Sequence, residues 1–296
     1  MHNYCSIISK EYIQKGLLLY NSLEKHDQNF CLYFICLDEE VKSLLEIMKL
    51  EKSIILTIGQ IENDDPKLAN IKATRSKKEY AWTSKASIFL YLFKNYPEID
   101  HILWLDGDIV FNSSPEPIFQ EMGLCSVLLT KERFKGQNIK LNNIYGIYNT
   151  GLMGFKRDKN AINFIKWYRK KCIEWCYNKI IPGKWSDQMY LNKIHEKFNW
   201  IRVSKNIGIN VTAWNIQGCR IEKVNDDIYI DGKKLIFYHY SGFVYVNDEK
   251  FELCNYIDLQ ADVVKFIYIP YVSNYKQMTY YVNDLGNILL GDLTHE

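Results

Sequence analysis

Apolar and polar positions in the first half of the chain alternate between two spacings, one typical of buried strands and one typical of amphipathic helices. The predicted strands cover residues 5–9, 31–37, 53–58 and 102–105. The predicted helices between them cover residues 12–23, 41–48 and 82–93. Such alternation predicts an α/β fold with a mixed, mostly parallel sheet flanked by helices. Open sheets of this kind bind ligands at the carboxyl ends of their strands.

The pattern in the rest of the chain predicts further elements. A polar segment, residues 62–79, predicts a surface loop. Residues 158–178 predict a long helix, and residues 186–198 a second one with Ser186 as its N-cap. Residues 228–239 predict a hairpin that turns at Asp231-Gly232.

The periodic pattern weakens after Phe251, where an apolar and aromatic segment, residues 266–281, shows no clear period. We therefore predict one main domain over residues 1–250. Residues 251–296 are predicted to form a C-terminal appendage that packs on this domain, on a partner or on a membrane. This appendage is also the predicted route to a homo-oligomer.

Composition excludes few classes of protein. The chain has 296 residues, 47% hydrophobic and 24% charged, which is an ordinary globular balance. A net charge of +2 gives no support to a nucleic-acid binder. The eight cysteines form no Cys-x-x-Cys pair, so zinc and thioredoxin signatures are absent from the sequence.

The sequence carries no apolar stretch of the length that a membrane span requires, and its first residues lack the features of a signal peptide. We therefore expect a cytoplasmic protein. Any contact with the inner face of the membrane is therefore expected to be peripheral.

The sharpest chemical feature is Asp106-Gly107-Asp108, which follows an apolar predicted strand. On extended backbone, residues two apart face the same side, so the two carboxylates converge at the carboxyl end of the strand. Two close carboxylates repel each other unless a cation lies between them, and their hard oxygens favour Mg²⁺ or Mn²⁺. Gly107 allows a close approach to the backbone. The alternative is a solvated loop, since Asp-x-Asp is common by chance.

Three weaker features follow, each with a structural alternative. Asn149-Thr150-Gly151 interrupts a predicted strand and indicates either a ligand close to the backbone or a plain bulge. Asp187-Gln188 begins a predicted helix, where Asp187 also fits a capping role. His239 ends an apolar strand, and a lone histidine in that setting is more often structural than a metal ligand.

In this order, the motifs resemble those of family-8-like glycosyltransferases of the GT-A fold, in a bacterial subgroup dependent on nucleotide-sugars. The matching segments are Asp106-Gly107-Asp108, Asn149-Thr150-Gly151, Asp187-Gln188 and His239-Tyr240-Ser241-Gly242. The resemblance covers about residues 5–243 and implies the GT-A, or nucleotide-diphospho-sugar transferase, fold. It implies a glycosyltransferase of the hexosyltransferase class that transfers sugar from a nucleotide-sugar, expected to be a UDP-sugar. The implied acceptor is a glycan or glycolipid, as in polysaccharide biosynthesis.

The resemblance also implies roles for single residues. Asp106, Asp108 and His239 are expected to hold a divalent metal, Mn²⁺ or Mg²⁺, on the donor diphosphate. The residues expected around the rest of the donor are Ile7, Ser9 and Tyr12 at the nucleoside, Lys85 and Gly107 near the donor, Gly242 at the phosphates, and Asn149, Asp187 and Gln188 at the sugar. Gln188 is expected to stabilise the cationic sugar and Asp187 to accept hydrogen bonds from it, with retention of anomeric configuration.

Two departures from the family pattern bear on these roles. Ser9 and Lys10 stand where relatives often carry acidic residues that contact the nucleoside. The Lys-Pro-Trp that commonly follows the late His-x-x-Gly is missing, so a phosphate-binding lysine must come from elsewhere, with Lys85 and Lys250 as candidates. The alternatives are an inactive glycan- or nucleotide-binding protein on the same fold, or a nucleotidyltransferase. The latter usually carries a glycine-rich phosphate loop after its first strand, and residues 6–11 contain no glycine.

Overall fold

A computed structural model of the protein describes residues 1–123, 125–198, 200–247 and 249–293. The strands are β1 (His2–Ile8), β2 (Phe30–Cys36), β3 (Ser53–Thr57), β4 (His101–Leu105), β5 (Ile109–Phe111), β6 (Val127–Lys131), β7 (Tyr148–Lys156), β8 (Ile201–Val203), β9 (Ile221–Val224), β10 (Asp227–Ile230), β11 (Lys233–Lys234), β12 (Phe237–His239), β13 (Val244–Tyr245) and β14 (Phe251–Glu252).

The α-helices are α1 (Ile13–His26), α2 (Glu39–Met48), α3 (Ile58–Asp64), α4 (Pro66–Ile71), α5 (Lys77–Asn95), α6 (Glu116–Met122), α7 (Asn142–Tyr145), α8 (Lys159–Glu174), α9 (Ile194–Lys197), α10 (Ala261–Val263) and α11 (Ile269–Leu293). Short 3₁₀ turns cover Lys10–Tyr12, Lys72–Thr74, Gly136–Leu141 and Met189–Lys193, and one π-helical turn covers Val264–Tyr268.

The main sheet has seven strands in the order β3-β2-β1-β4-β7-β6-β8. Strands β1 and β4 are parallel, as are β6 and β8, whereas β7 runs antiparallel to both of its neighbours. The predicted fold, a mixed and mostly parallel sheet flanked by helices, is confirmed.

The chain divides into two compact units. The first unit comprises residues 1–5, 57–105 and 116–205. Within it, α5 packs against α8, and the aromatic rings of Phe89, Trp104 and Phe155 are fully buried. Both helices have side-chain caps: Ser76 and Glu79 form a capping box at α5, and Asp158 accepts from the Ala161 amide at α8. Caps of this kind contribute about 1 kcal/mol each.

The second unit comprises residues 6–56, 106–115 and 206–296, of which the last three lie outside the described residues. Helix α1 packs against β5 and against α11, and β12 pairs antiparallel with β5. One face of the C-terminal helical segment is buried at Tyr268, Tyr271 and Tyr275. Their spacing of three and four residues is helical, although the surrounding aromatic residues and Pro270 obscure it in the sequence.

Two predicted elements were wrong in type. The predicted loop, residues 62–79, contains the end of α3, all of α4 and the start of α5. Helix α4 forms there because the Asp65 side chain accepts from the Leu68 amide and Pro66 occupies the first turn. The predicted helix, residues 186–198, is a 3₁₀ turn followed by the short α9. Ser186 caps neither, because the N-cap residues of these two elements are Gln188 and Lys193.

The prediction of a hairpin over residues 228–239 was correct for the position of the turn, but the hairpin in the structure is shorter. Asp231 and Gly232 turn with φ of +47° and +74° and join β10 to β11. The chain then leaves this hairpin, and Phe237 to His239 form β12 beside β5 instead. None of the helices that the structure describes is both long and apolar enough to cross a membrane.

Candidate active site

A carboxylate pair and a histidine meet in the second unit. Asp106, Gly107 and Asp108 lead into β5, and the antiparallel pairing of β5 with β12 places His239 opposite Ile109. The Tyr240 amide donates to the Asp108 carbonyl oxygen at 2.8 Å, which continues this ladder. A strand from late in the sequence therefore brings the histidine to the Asp-x-Asp segment.

The three side chains are close enough to share one ion. His239 Nε2 lies 3.1 Å from Asp108 Oδ1 and 3.9 Å from Asp106 Oδ2. One ligand atom from each residue lies within 4.8 Å of the other two. Asp108 and His239 are buried, whereas the Asp106 side chain is 27% exposed. Burial raises the pKa of the Asp108 carboxyl, but the charge and hydrogen bond of His239 outweigh it and hold that pKa well below its usual range.

Asn210 orients the histidine. Its Oδ1 lies 3.2 Å from His239 Nδ1, and its own carbonyl oxygen accepts from Asn215 Nδ2 at 3.0 Å. A hydrogen bond from Nδ1–H to Asn210 leaves Nε2 directed at the two carboxylates. Metal-binding histidines typically have such a partner on the second nitrogen.

This donor set fits a divalent metal. Two carboxylates supply hard oxygen ligands, and a neutral imidazole suits Mn²⁺ and similar ions. The oriented Nε2 and the convergence of all three side chains are what such a site requires. The residues that would hold the ion are thus Asp106, Asp108 and His239, as the sequence predicts.

Several residues expected around the nucleoside lie next to this cluster. A Cβ added at Gly107 would lie 3.1 Å from Ile8 Cδ1, 3.6 Å from Tyr12 Cδ1 and 3.8 Å from the Ile7 carbonyl oxygen. Glycine thus keeps this side of the Asp-x-Asp segment close to Tyr12. The Tyr12 residue is 37% exposed, and its amide donates to the Ser9 carbonyl oxygen at 2.9 Å.

Gly242, expected at the phosphates, occupies a position where any other residue would be strained. Its φ is +88°, in the left-handed region that favours glycine. A Cβ there would lie 2.7 Å from Tyr256 Cε2 and 2.9 Å from Asn255 Oδ1. The next residue, Phe243, offers its carbonyl oxygen to Lys15 Nζ at 3.0 Å.

A second polar cluster lies in the first unit and is built around Asp187. Lys85 Nζ lies 3.1 Å from Asp187 Oδ2, and both side chains are almost fully buried. Lys85 also donates to the carbonyl oxygen and the Oγ1 of Thr150, at 3.1 and 3.3 Å. Lys85, expected near the donor, is therefore engaged in a buried ion pair.

Three hydroxyl groups complete the contacts of Asp187. Tyr168 donates to Oδ2 at 2.8 Å, while Thr150 and Ser186 each donate to Oδ1 at 3.2 Å. Burial and the adjacent carboxylate raise the pKa of Tyr168 well above its ordinary value, so its hydroxyl stays protonated and donates. With Lys85 included, these contacts occupy the roughly four acceptor positions of a carboxylate.

Two hydrogen bonds donated by its amide nitrogen fix the orientation of the Gln188 side chain. Nε2 donates to Glu132 Oε1 at 2.8 Å and to the Tyr145 carbonyl oxygen at 2.6 Å. Because both partners are acceptors, the nitrogen must face them and Oε1 is turned away. This fixes the direction of the amide oxygen that the sequence assigns to the sugar.

Asn149 lies where the pairing of β6 and β7 is irregular. Leu129 pairs with Met153 and Thr130 pairs with Asn149, so three β7 residues between those partners have no counterpart on β6. The Asn149 side chain accepts from the Gly151 amide at 2.8 Å. The bulge considered from the sequence is present, and it directs Thr150 toward Asp187.

Sequence reasoning missed several residues of these clusters, namely Lys15, Glu132, Tyr145, Tyr168 and Asn210. Lys15 had a detectable signal, because it is a cation on the buried side of an apolar helix. The other four follow no motif in the sequence, and only tertiary structure brings them to the clusters.

The family model and the structural neighbours show that the protein is a glycosyltransferase with a GT-A fold. The galactosyltransferase LgtC, solved with donor and acceptor sugar analogues, superposes with a TM-score of 0.52 at 14% identity, over 81% of this chain and 87% of LgtC. Mouse xyloside xylosyltransferase 1 superposes with a TM-score of 0.50 at 13% identity, over 81% of this chain and 97% of that one. At these identities the likeness shows the shared fold.

The chain belongs to glycosyl transferase family 8, whose family model matches residues 4–244. Two relatives come from Bacillus subtilis (strain 168). The uncharacterised protein YfnD is 31% identical over 278 residues, covering 93% of this chain and 89% of YfnD. The uncharacterised protein YfnF is 32% identical over 256 residues, covering 83% of this chain and 84% of YfnF.

Proposed function

We propose that this glycosyltransferase depends on a divalent metal, Mn²⁺ or Mg²⁺, and transfers a sugar from a UDP-sugar to a glycan or lipid-linked glycan. The observation that carries the proposal is the convergence of Asp106, Asp108 and His239 within 4.8 Å. Tyr12, next to Gly107, supplies an exposed ring of the kind on which a nucleobase stacks. An inactive glycan-binding protein would have no use for these three ligands and the orienting Asn210.

The bound metal would supply electrostatic stabilisation of the negative charge that develops on the departing nucleoside diphosphate. The task of this chain is to hold that ion at one place. Asp106 and Asp108 contribute charge, His239 contributes an oriented nitrogen, and we propose that the Gly242 backbone contacts phosphate.

The groups that we propose for the donor sugar are Asn149, Asp187 and Gln188. The Oε1 of Gln188, which faces neither Glu132 nor Tyr145, is the group that we propose stabilises a sugar with oxocarbenium character. Asp187 remains a predicted sugar contact, but its four protein contacts favour positioning of the neighbouring Gln188. Retention of anomeric configuration stays a proposal that rests on the family resemblance.

Aromatic side chains near Gln188 support a carbohydrate acceptor. The rings of Tyr145 and Trp185 lie 4.9 Å apart between centroids, and Trp82 lies 6.2 Å from Trp185. All three residues are partly exposed. Flat, partly exposed rings of this kind suit stacking against the apolar face of a sugar.

A thermal-shift panel tests the proposal. The protein is melted with UDP, GDP, CMP or dTDP, each with Mn²⁺, Mg²⁺ or EDTA. Binding to the native state stabilises it by about 2.7 kcal/mol when the ligand is at 100 times its Kd. We expect a shift with UDP that EDTA removes. No shift with any combination would favour an inactive glycan-binding protein.

The products of donor turnover distinguish a glycosyltransferase from the remaining alternative, a nucleotidyltransferase. A glycosyltransferase slowly releases UDP and free sugar from its UDP-sugar when no acceptor is present, and a nucleotidyltransferase instead forms or cleaves the diphosphate bond. We expect UDP as the nucleotide product from at least one member of a UDP-sugar panel. Release of UMP or incorporation of pyrophosphate would contradict the proposal.

A further inference from the structure

Lys15 is a buried cation in the unit that contains the candidate metal cluster. It lies in α1, is 7% exposed, and is followed by Leu17 and Leu18, which are also buried. Its Nζ donates to the Phe243 carbonyl oxygen at 3.0 Å and lies 4.5 Å from the centroid of the Tyr12 ring.

Burial of this ammonium is costly for folding. A lysine at a buried helix position loses the hydration of its ammonium group, and this loss opposes folding. Buried charges contribute little to stability compared with apolar side chains of similar size. A lysine at this position is therefore better explained by what its charge does for a ligand.

The surroundings of Lys15 are those of the candidate donor site. Its carbonyl partner, Phe243, directly follows Gly242, and its ring partner, Tyr12, lies next to Gly107.

Charge balance at that cluster requires a further cation. Asp106 and Asp108 neutralise the two positive charges of a divalent ion. The ion and its ligands together would therefore carry little net positive charge to attract a diphosphate. Phosphate groups are recognised by Lys and Arg through charge-assisted hydrogen bonds. A diphosphate bound at this cluster would therefore be stabilised by an additional ammonium group.

The other lysines considered for this role are engaged elsewhere or exposed. Lys85 forms a buried ion pair with Asp187. Lys250 is exposed and closes a turn through backbone hydrogen bonds with Val246 and Asn247.

We propose that Lys15 binds the diphosphate of the nucleotide-sugar donor and provides the positive charge that a lysine after the late His-x-x-Gly would otherwise provide. This inference rests on the proposed function. The four-carbon stem lets Nζ move from the Phe243 carbonyl oxygen to a phosphate oxygen without a change in the helix. Tyr12 and Lys15, one helical turn apart, then contact the base and the phosphates of one nucleotide.

The test compares Lys15→Met and Lys15→Arg with the wild type by calorimetric titration of UDP in the presence of Mn²⁺. Charge-assisted hydrogen bonds are worth enough to predict UDP binding weaker by about tenfold to a hundredfold in Lys15→Met. Lys15→Arg should retain most of the affinity. Uridine, which has no phosphate, is measured by competition and should bind both variants as it binds the wild type.

Lys52→Met is the matched control. Lys52 Nζ donates to the Gln28 carbonyl oxygen at 3.1 Å and lies 5.2 Å from the Phe30 ring, so it makes the same kinds of contact. It should leave UDP binding unchanged. The melting temperature of Lys15→Met without ligand is measured as well, to show that the variant is folded.

Three results would overturn the inference. UDP affinity unchanged in Lys15→Met would show that the charge does not reach the phosphates. Equal losses for UDP and uridine would show a structural role only. A wild type that binds none of UDP, GDP and dTDP would overturn the proposed function, and the inference with it, and that result is visible before any variant is compared.

Discussion

The buried ion pair of Lys85 and Asp187 is expected to contribute strongly to the stability of the fold. Lys85→Met removes one charge from a pair whose side chains are 1% and 2% exposed. The Asp187 carboxylate would keep its three hydroxyl donors and lose its counter-charge. Breaking a buried pair in this way costs about 3–5 kcal/mol. At roughly 2–4 °C per kcal/mol, the midpoint of thermal unfolding should fall by about 6–20 °C.

A double-mutant cycle isolates the pair. Asp187→Asn alone should also destabilise, whereas adding Asp187→Asn to Lys85→Met should cost little more, because the uncompensated charge is gone. The expected coupling lies in the range of about 0.5–3 kcal/mol measured for residues in contact, toward its upper end. Urea denaturation followed by circular dichroism gives the free energies of unfolding. Lys94→Met is the control, since Lys94 lies on the same helix and its ion pair with Asp64 is at the surface.

A small effect would refute this reasoning. If Lys85→Met lowered the free energy of unfolding by less than about 1 kcal/mol, in the range of a surface ion pair, the pair would not be the buried anchor that the geometry describes. Additive losses in the double variant would have the same meaning.

Three further predictions follow from single contacts. Asn210→Ala should weaken Mn²⁺ binding by about tenfold to a hundredfold without unfolding the protein, because His239 loses its orienting partner; metal titration monitors this. Gly242→Ala should lower both the melting temperature and UDP affinity, because φ is +88° and the new Cβ would lie 2.7 Å from Tyr256, and wild-type values for both would contradict the assigned conformation. Burial raises the pKa of Asp65, but the hydrogen bonds that its carboxylate accepts from Arg169 and Ser87 outweigh burial and lower this pKa. The stabilisation that the Asp65 carboxylate provides is therefore fully present above the unfolded pKa of about 3.9. It is lost as the pH falls through the lower pKa of the folded state. In Asp65→Asn that part of the acid dependence of stability should be missing.

Local patterns in the sequence were sufficient to predict those features that depend on one strand or one turn alone. The apolar run before Asp106 predicted both β4 and the position of the carboxylate pair, because a buried strand and its polar end are visible in consecutive residues. The turn at Asp231-Gly232 was predicted for the same reason, since both residues tolerate positive φ.

The sequence was insufficient where distant segments meet. His239 reaches Asp108 only because β12 leaves the predicted hairpin and pairs with β5, a choice made by tertiary packing. Asn210 and Glu132 likewise act through partners far away in the chain. The loop predicted at residues 62–79 failed because caps at Asp65 and Ser76 start helices in polar sequence, where hydrophobic periodicity gives little information.

The most direct test of the central claim is the stoichiometry of Mn²⁺ binding in the presence of UDP, measured by electron paramagnetic resonance on the wild type and on Asp108→Asn. The account predicts one Mn²⁺ bound per chain in the wild type, with binding strengthened by UDP, and loss of that site in Asp108→Asn while the melting profile without ligand is retained. A wild type that binds no Mn²⁺ with UDP, or an Asp108→Asn variant that binds it as the wild type does, would contradict a metal-dependent donor site at Asp106, Asp108 and His239.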